Sequence, residues 1–110
     1  MKPDLRTLNA FRKLFHEENK KWCPDETKRL RMFVEEHFVE RLLERFRNQE
    51  AAQVVKDIMA HIRENYEILQ FEDTFGTKRE YRISISNGNA AVLVLFSGTL
   101  RIRTCFKPPV

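Results

Sequence analysis

Glycine is scarce in this chain, with three residues among 110. Loops that cradle phosphate through backbone amides need several glycines close together. Neither a P-loop nor a dinucleotide-binding fingerprint is present, and GxSxG and HExxH are also missing. Cysteine is nearly as rare. Cys23 and Cys105 form no CxxC pair and stand at no zinc-like spacing from the histidines. No signal peptide is visible, so both are expected to be reduced thiols in a cytoplasmic protein. The longest apolar run, Ala90–Phe96, is seven residues, against about 20 for a membrane-spanning helix. No acidic cluster suggests a divalent-metal nuclease site. The expectation is therefore no cofactor, no metal and no membrane. Any chemistry then falls to His, Arg, Glu, Lys, Tyr or Thr.

The chain does carry the material for one core: 42% hydrophobic residues, including nine Phe and one Trp. At this length it is expected to form a single domain over 1–110, with a helical extension at 1–28 and a core at 29–106. Twenty basic residues stand against sixteen acidic ones, a net charge of +4, and the pI is near 9.3. The excess is concentrated late. From residue 77 onward Lys78, Arg79, Arg82, Arg101, Arg103 and Lys107 face one acid, Glu80. A basic face of this kind suits a polyanion such as RNA, DNA or an acidic protein. A solvated surface with no partner is the plainer alternative.

Pro3 and Asp4 open a helical pattern in which Leu5, Leu8, Phe11, Leu14 and Phe15 recur on one side, to about Lys21. Residues 29–34 alternate as a short strand, with Leu30, Met32 and Val34 on one face; a helix is the alternative there. From about Glu35 the spacing of Phe38, Val39, Leu42, Leu43 and Phe46 predicts a second helix. Residues 49–65 predict a third, burying Ala51, Val54, Val55, Ile58, Met59 and Ile62. The period then changes. Ile68–Glu72, Arg79–Ser86, Ala90–Phe96 and Leu100–Phe106 read as strands. Asn87-Gly88-Asn89 and Ser97-Gly98-Thr99 supply hairpin turns. The predicted class is α+β: N-terminal helices on one face of a four-stranded, mainly antiparallel C-terminal sheet.

The most suggestive stretch for chemistry is Glu36 to Arg45. His37, Arg41 and Arg45 fall at i, i+4 and i+8, along one helix edge that borders the apolar stripe. Such groups are expected to be half-buried where helix meets sheet. His61, beside Met59 and Ile62, is a second candidate, or else a hydrogen-bonded core histidine. His16, beside Glu17 and Glu18, reads as an ordinary surface residue.

The run Phe33-Val34-Glu35-Glu36-His37-Phe38-Val39-Glu40-Arg41, with Arg45 beyond it, resembles the His-apolar-apolar-acid-Arg-x-x-x-Arg segment of RegB-type phage endoribonucleases. That family belongs among the small RelE and barnase-like ribonuclease toxins. Asp57-Ile58-Met59-Ala60-His61-Ile62 is similar to the family's second histidine helix, although the spacing between the two histidines is longer here. The resemblance covers roughly residues 30–106. It implies a RelE/RegB-like fold and metal-independent cleavage of mRNA. In that reaction the 2′-hydroxyl attacks its own phosphate, leaving 2′,3′-cyclic phosphate and 5′-hydroxyl ends. The reaction requires a base, an acid and cationic donors for the developing charge. The roles implied are His37 as base or acid with His61 as its partner, and Arg41 on the phosphorane. Arg45, Arg82, Arg103 and Thr104 would bind substrate. Tyr81 reads as core or a base-stacking platform.

The expected partner is RNA, as mRNA free or on the ribosome, in the cytoplasm (the host's, for a phage-encoded chain). A host translation factor or an antitoxin would join it. Two other readings stay open: a non-catalytic module that holds RNA or a host protein on the same fold, and the toxin of a toxin–antitoxin pair. Function lives in the site rather than in the scaffold.

Overall fold

Asp4 starts the first helix by accepting a hydrogen bond from the Thr7 amide at 2.7 Å, the usual side-chain cap for an orphan helical N–H. In the computed structural model, which describes residues 2–109, this helix α1 is Leu5–Trp22. Leu8 and Phe15 go into the common core, so the helical extension shares the interior of residues 29–106. Asn19 is buried with them and fully partnered. Its side-chain amide donates to the Leu30 carbonyl at 2.7 Å, and its side-chain carbonyl accepts from the Tyr66 hydroxyl at 2.8 Å. The Leu30 amide donates to that same hydroxyl at 2.9 Å. A satisfied buried network of this sort fixes the relative placement of the elements it joins.

The short strand β1 (Arg31–Val34) follows, then α2 (Glu36–Arg45) and α3 (Asn48–Glu64). Phe38, Val39 and Leu42 of α2 and Val54, Val55, Ile58 and Ile62 of α3 are buried, as their helical spacing predicts. Residues 68–72 correct the sequence reading. They belong to a fourth helix, α4 (Tyr66–Asp73), and not to a strand. Tyr66 and Leu69, three apart, face the core, while Ile68 and Phe71 are exposed. Apolar residues on both sides of the helix imitate a strand's density of large side chains. The buried Tyr66 hydroxyl holds the helical phase.

The remaining strands are β2 (Arg79–Ser84), β3 (Ala90–Phe96) and β4 (Thr99–Phe106), an antiparallel meander as expected. Asn87 and Gly88 have φ of 63° and 74°, and Ser97 and Gly98 have 50° and 78°. Two successive positive φ angles match the twist of a tight hairpin. The fourth strand of the sheet is therefore β1, contributed by the N-terminal half. The order is β1-β4-β3-β2, with β1 parallel to β4. The sheet is mixed, and three helices fill the crossover from β1 to the meander.

Core residues sit on one face of this sheet. Ala91, Leu93, Leu95, Leu100, Ile102 and Val34 pack with the helices. A register shift between Val92 and Leu93 changes which face β4 presents. Ile102 pairs with Leu93 and Thr104 with Val92, so Arg103 is the extra residue of a β-bulge. Beyond it the alternation inverts. Cys105 enters the core, and Thr104 joins Val92 on the other side.

Candidate nucleic-acid interface

Val92 and Val94 are buried, at 7% and 3% exposure, yet lie outside the core cluster. They point to the face that the helices leave open. Their cross-strand neighbours are Arg82 and Thr104 for Val92, and Glu80 and Arg101 for Val94. Arginine stems at these positions are long enough to cover the valines while the charged heads stay at the surface. The outward residues of β1 extend the row, since Phe33 stands opposite Arg101 in the parallel register.

Aromatic rings interleave with these cations. Arg101 and Arg12 lie 4.9 and 4.6 Å from the centre of the Phe33 ring. Arg82 and Arg45 lie 5.1 and 5.7 Å from that of Phe106. On the same face runs a trough of about 360 Å³ lined by Glu35, Lys78, Val94, Phe96, Arg101 and Arg103. Among the described residues, Arg103 is paired with Glu80 at 3.5 Å, while Arg82, Arg101 and Lys78 have no carboxylate within ion-pair distance. Unpaired cations around partly exposed rings suit a phosphate backbone bearing unstacked bases.

The candidate residues fall into two groups. Arg45 donates to the Cys105 carbonyl at 3.0 Å and reaches Phe106. The β4 carbonyl it satisfies lies beyond the stretch that pairs with β1. Of the His37–Arg41–Arg45 edge of α2, Arg45 thus reaches the rim of the open face. Arg82, Arg103 and Thr104 lie on the face itself. His37 is exposed, not half-buried as expected. Arg41 is half-buried, but its guanidinium already donates to Glu40 and Glu44 at 2.9 and 3.0 Å.

His61 belongs elsewhere. It lines a shallow cleft of about 280 Å³ with Asp57, Glu64 and Ser84–Ser86, beyond the end of β2. His37 follows β1, at the opposite edge of the sheet. Three inter-strand spacings, about 14 Å, separate those two strands. Burial lowers the His61 pKa from its ordinary value, with Glu64 opposing the shift. Two carboxylates beside His61 disfavour a phosphate there. The structure does not bring the two histidines together.

Tyr81 is also off the open face. It packs against the core, and its hydroxyl donates to the Glu72 carboxylate. Burial, then Glu72, pushes its pKa up to about 12. Cys23 and Cys105 are free and buried; burial raises the Cys105 thiol to about 12. Among the described residues no group of three His, Cys, Asp or Glu side chains is placed to hold a metal ion, and no helix is long and apolar enough to cross a membrane.

Sequence reasoning placed Lys78 and Arg101 in a basic segment but missed Phe33, Glu35, Phe96 and Phe106 as parts of this surface. The alternation of Phe33 in β1, and of Arg101 and Arg103 in β4, with core residues carried the signal, once β1 and β4 are known to be neighbours. Comparison with protein-family models, with curated proteins and with solved structures finds no match.

Proposed function

We propose that this chain binds single-stranded RNA across the open face of its sheet. The observation that carries this reading is the pattern on that face. Phe33 and Phe106 are each approached by two guanidiniums, and a trough with Lys78, Arg101 and Arg103 shares the face with them. Cations would follow the phosphates and the rings would stack on bases. Fluorescence anisotropy with a labelled single-stranded RNA tests it, because Arg101→Glu with Arg103→Glu should abolish binding in a protein that still melts cooperatively.

Metal-independent cleavage, by the 2′-hydroxyl route to cyclic-phosphate ends, is the second and more specific reading. The rim favours it. His37 is exposed in the first turn of α2, and Glu35, which precedes that helix, lines the trough with Arg101 and Arg103. Arg41, occupied by two glutamates, would need to be released to reach a phosphate. Incubation with mRNA in EDTA, followed by end analysis, separates the two readings. Cyclic-phosphate ends that disappear in a folded His37→Ala variant support cleavage. Intact RNA at a protein concentration that saturates binding, in buffer and in cell extract, leaves the binding module alone. A RelE/RegB-like membership of the fold belongs to the same proposal, as does action in a cytoplasm on mRNA.

A further inference from the structure

The open face continues past β1 into a second cleft. Between α1 and β1 lies a space of about 730 Å³ whose lining includes His16, Arg29, Arg31, Phe33, Thr99 and Arg101. Arg101 lines both this space and the trough of the open face, so the two spaces are neighbours across that side chain. Arg29 is held in place by hydrogen bonds from its Nε to the Cys23 carbonyl at 2.7 Å and from Nη2 to the Pro24 carbonyl at 2.9 Å. A guanidinium carries five N–H donors, so three remain available. Among the described residues, none of Arg29, Arg31 and Arg101 has a carboxylate within ion-pair distance. The acid on the lining is Glu26.

The cleft also has a wall. His16 and Asn19 of α1 line it on the side away from β4, so a strand crossing the sheet from β2 toward β1 runs into the helix. An internal phosphodiester carries one negative charge. A terminal phosphomonoester carries nearly two above its second pKa of about 6, and three strong acceptor oxygens. Three guanidiniums outside any ion pair and an imidazole, against the one carboxylate of Glu26 on the lining, exceed what one diester group uses and suit a monoester approached from several sides.

We infer that this cleft takes the terminal phosphate of an RNA strand lying on the open face. The inference rests on the RNA-binding reading and adds an end preference to it. Binding of one internally labelled RNA sequence is measured in three forms: 5′-phosphate, 3′-phosphate and hydroxyl at both ends. One phosphorylated form should bind roughly tenfold tighter than the hydroxyl form, as charge-assisted hydrogen bonds to the added phosphate would give. Arg31→Gln should remove that preference and leave the affinity for hydroxyl-ended RNA nearly unchanged, and Arg31→Lys should keep part of it, with melting temperatures showing that both variants fold. Equal affinity of wild type for all three forms overturns the inference while leaving RNA binding intact, as does a preference that survives Arg31→Gln. Absence of binding to every form overturns the RNA reading as well. Free nucleoside monophosphate serves as competitor. If it displaces the phosphorylated RNA at equal concentration, the cleft is a mononucleotide site and the inference falls.

Discussion

Arg101 stands directly across from Phe33 in the parallel β1–β4 register, its guanidinium 4.9 Å from the ring centre. Phe33 is 36% exposed and outside the core cluster, so its ring supports little of the core, and a base would stack on it in exchange for one of the two guanidiniums that approach it. Phe33→Ala should weaken single-stranded RNA binding by about 1–3 kcal/mol, the usual worth of one base stacked on an aromatic ring, while Phe33→Trp preserves it. The melting temperature of either variant should stay close to wild type. Loss of stability without loss of affinity would assign Phe33 to the fold alone.

The Asn19–Tyr66–Leu30 network makes a separate claim, about stability. Tyr66→Phe leaves the Leu30 amide and the Asn19 side-chain carbonyl without their partner in a buried site. The cost should be about 1–3 kcal/mol, read from denaturant midpoints at constant m-value. Asn19→Ala should cost a similar amount, and the double variant less than the sum, because both changes break one network. Strict additivity would contradict a shared network.

Both tyrosines resist ionisation in the folded chain. Burial drives Tyr66 to about 12, as burial and then Glu72 drive Tyr81 to about 12. A folded pKa raised above the unfolded value of about 10 means that the neutral form is favoured by folding. The contribution is complete below about pH 10 and is lost as pH rises from there toward the folded value. Tyrosinate absorbance should therefore be negligible in the folded protein at about pH 10.5 and should appear together with unfolding. A titration of one full tyrosine near the unperturbed value in folded protein would contradict this.

His61 works in the other direction. Its folded pKa lies below the unfolded value of about 6.5, chiefly through burial. The unfolded chain binds the proton more readily, so stability falls as pH drops through about 6.5 toward the lower folded pKa. His61→Gln should flatten this part of the stability curve, measured by thermal melts between about pH 8 and pH 5.5. It should leave RNA affinity at neutral pH unchanged, since His61 lies off the open face. A large loss of affinity would bring His61 back into the site.

Much of the fold was legible locally. Helical spacing found α1, α2 and α3, and Asn87-Gly88 and Ser97-Gly98 fixed the two hairpins. The strand at 31–34 was readable from its alternation. Its pairing with β4 was not, because a parallel partner more than sixty residues away leaves no local mark. Residues 68–72 misled because Ile68 and Phe71 are apolar but exposed. The bulge at Arg103 was equally hidden. Simple alternation from Leu100 puts Thr104 and Phe106 inward, whereas the shifted register turns Thr104 outward and sends Cys105 to the core. The site was read in the same uneven way. The spacing of His37, Arg41 and Arg45 marked a helix edge of which Arg45 reaches Phe106, and the charge excess pointed to Arg82 and Arg103, which lie on the open face. His61 depended on resemblance and lies at the other edge. His16, read as a surface residue, is exposed and stands on the rim of the basic cleft between α1 and β1.

The most direct measurement is the salt dependence of binding to a labelled single-stranded RNA, for wild type and for Arg101→Glu with Arg103→Glu. Each phosphate contact should contribute about 0.7 to the slope of log affinity against log salt. The wild type should bind with a slope of about 2 or more, and the double variant should lose both the affinity and most of the slope while melting as a folded protein. Equal affinities and equal slopes for the two proteins would show that RNA, if held at all, is held away from the open face of the sheet.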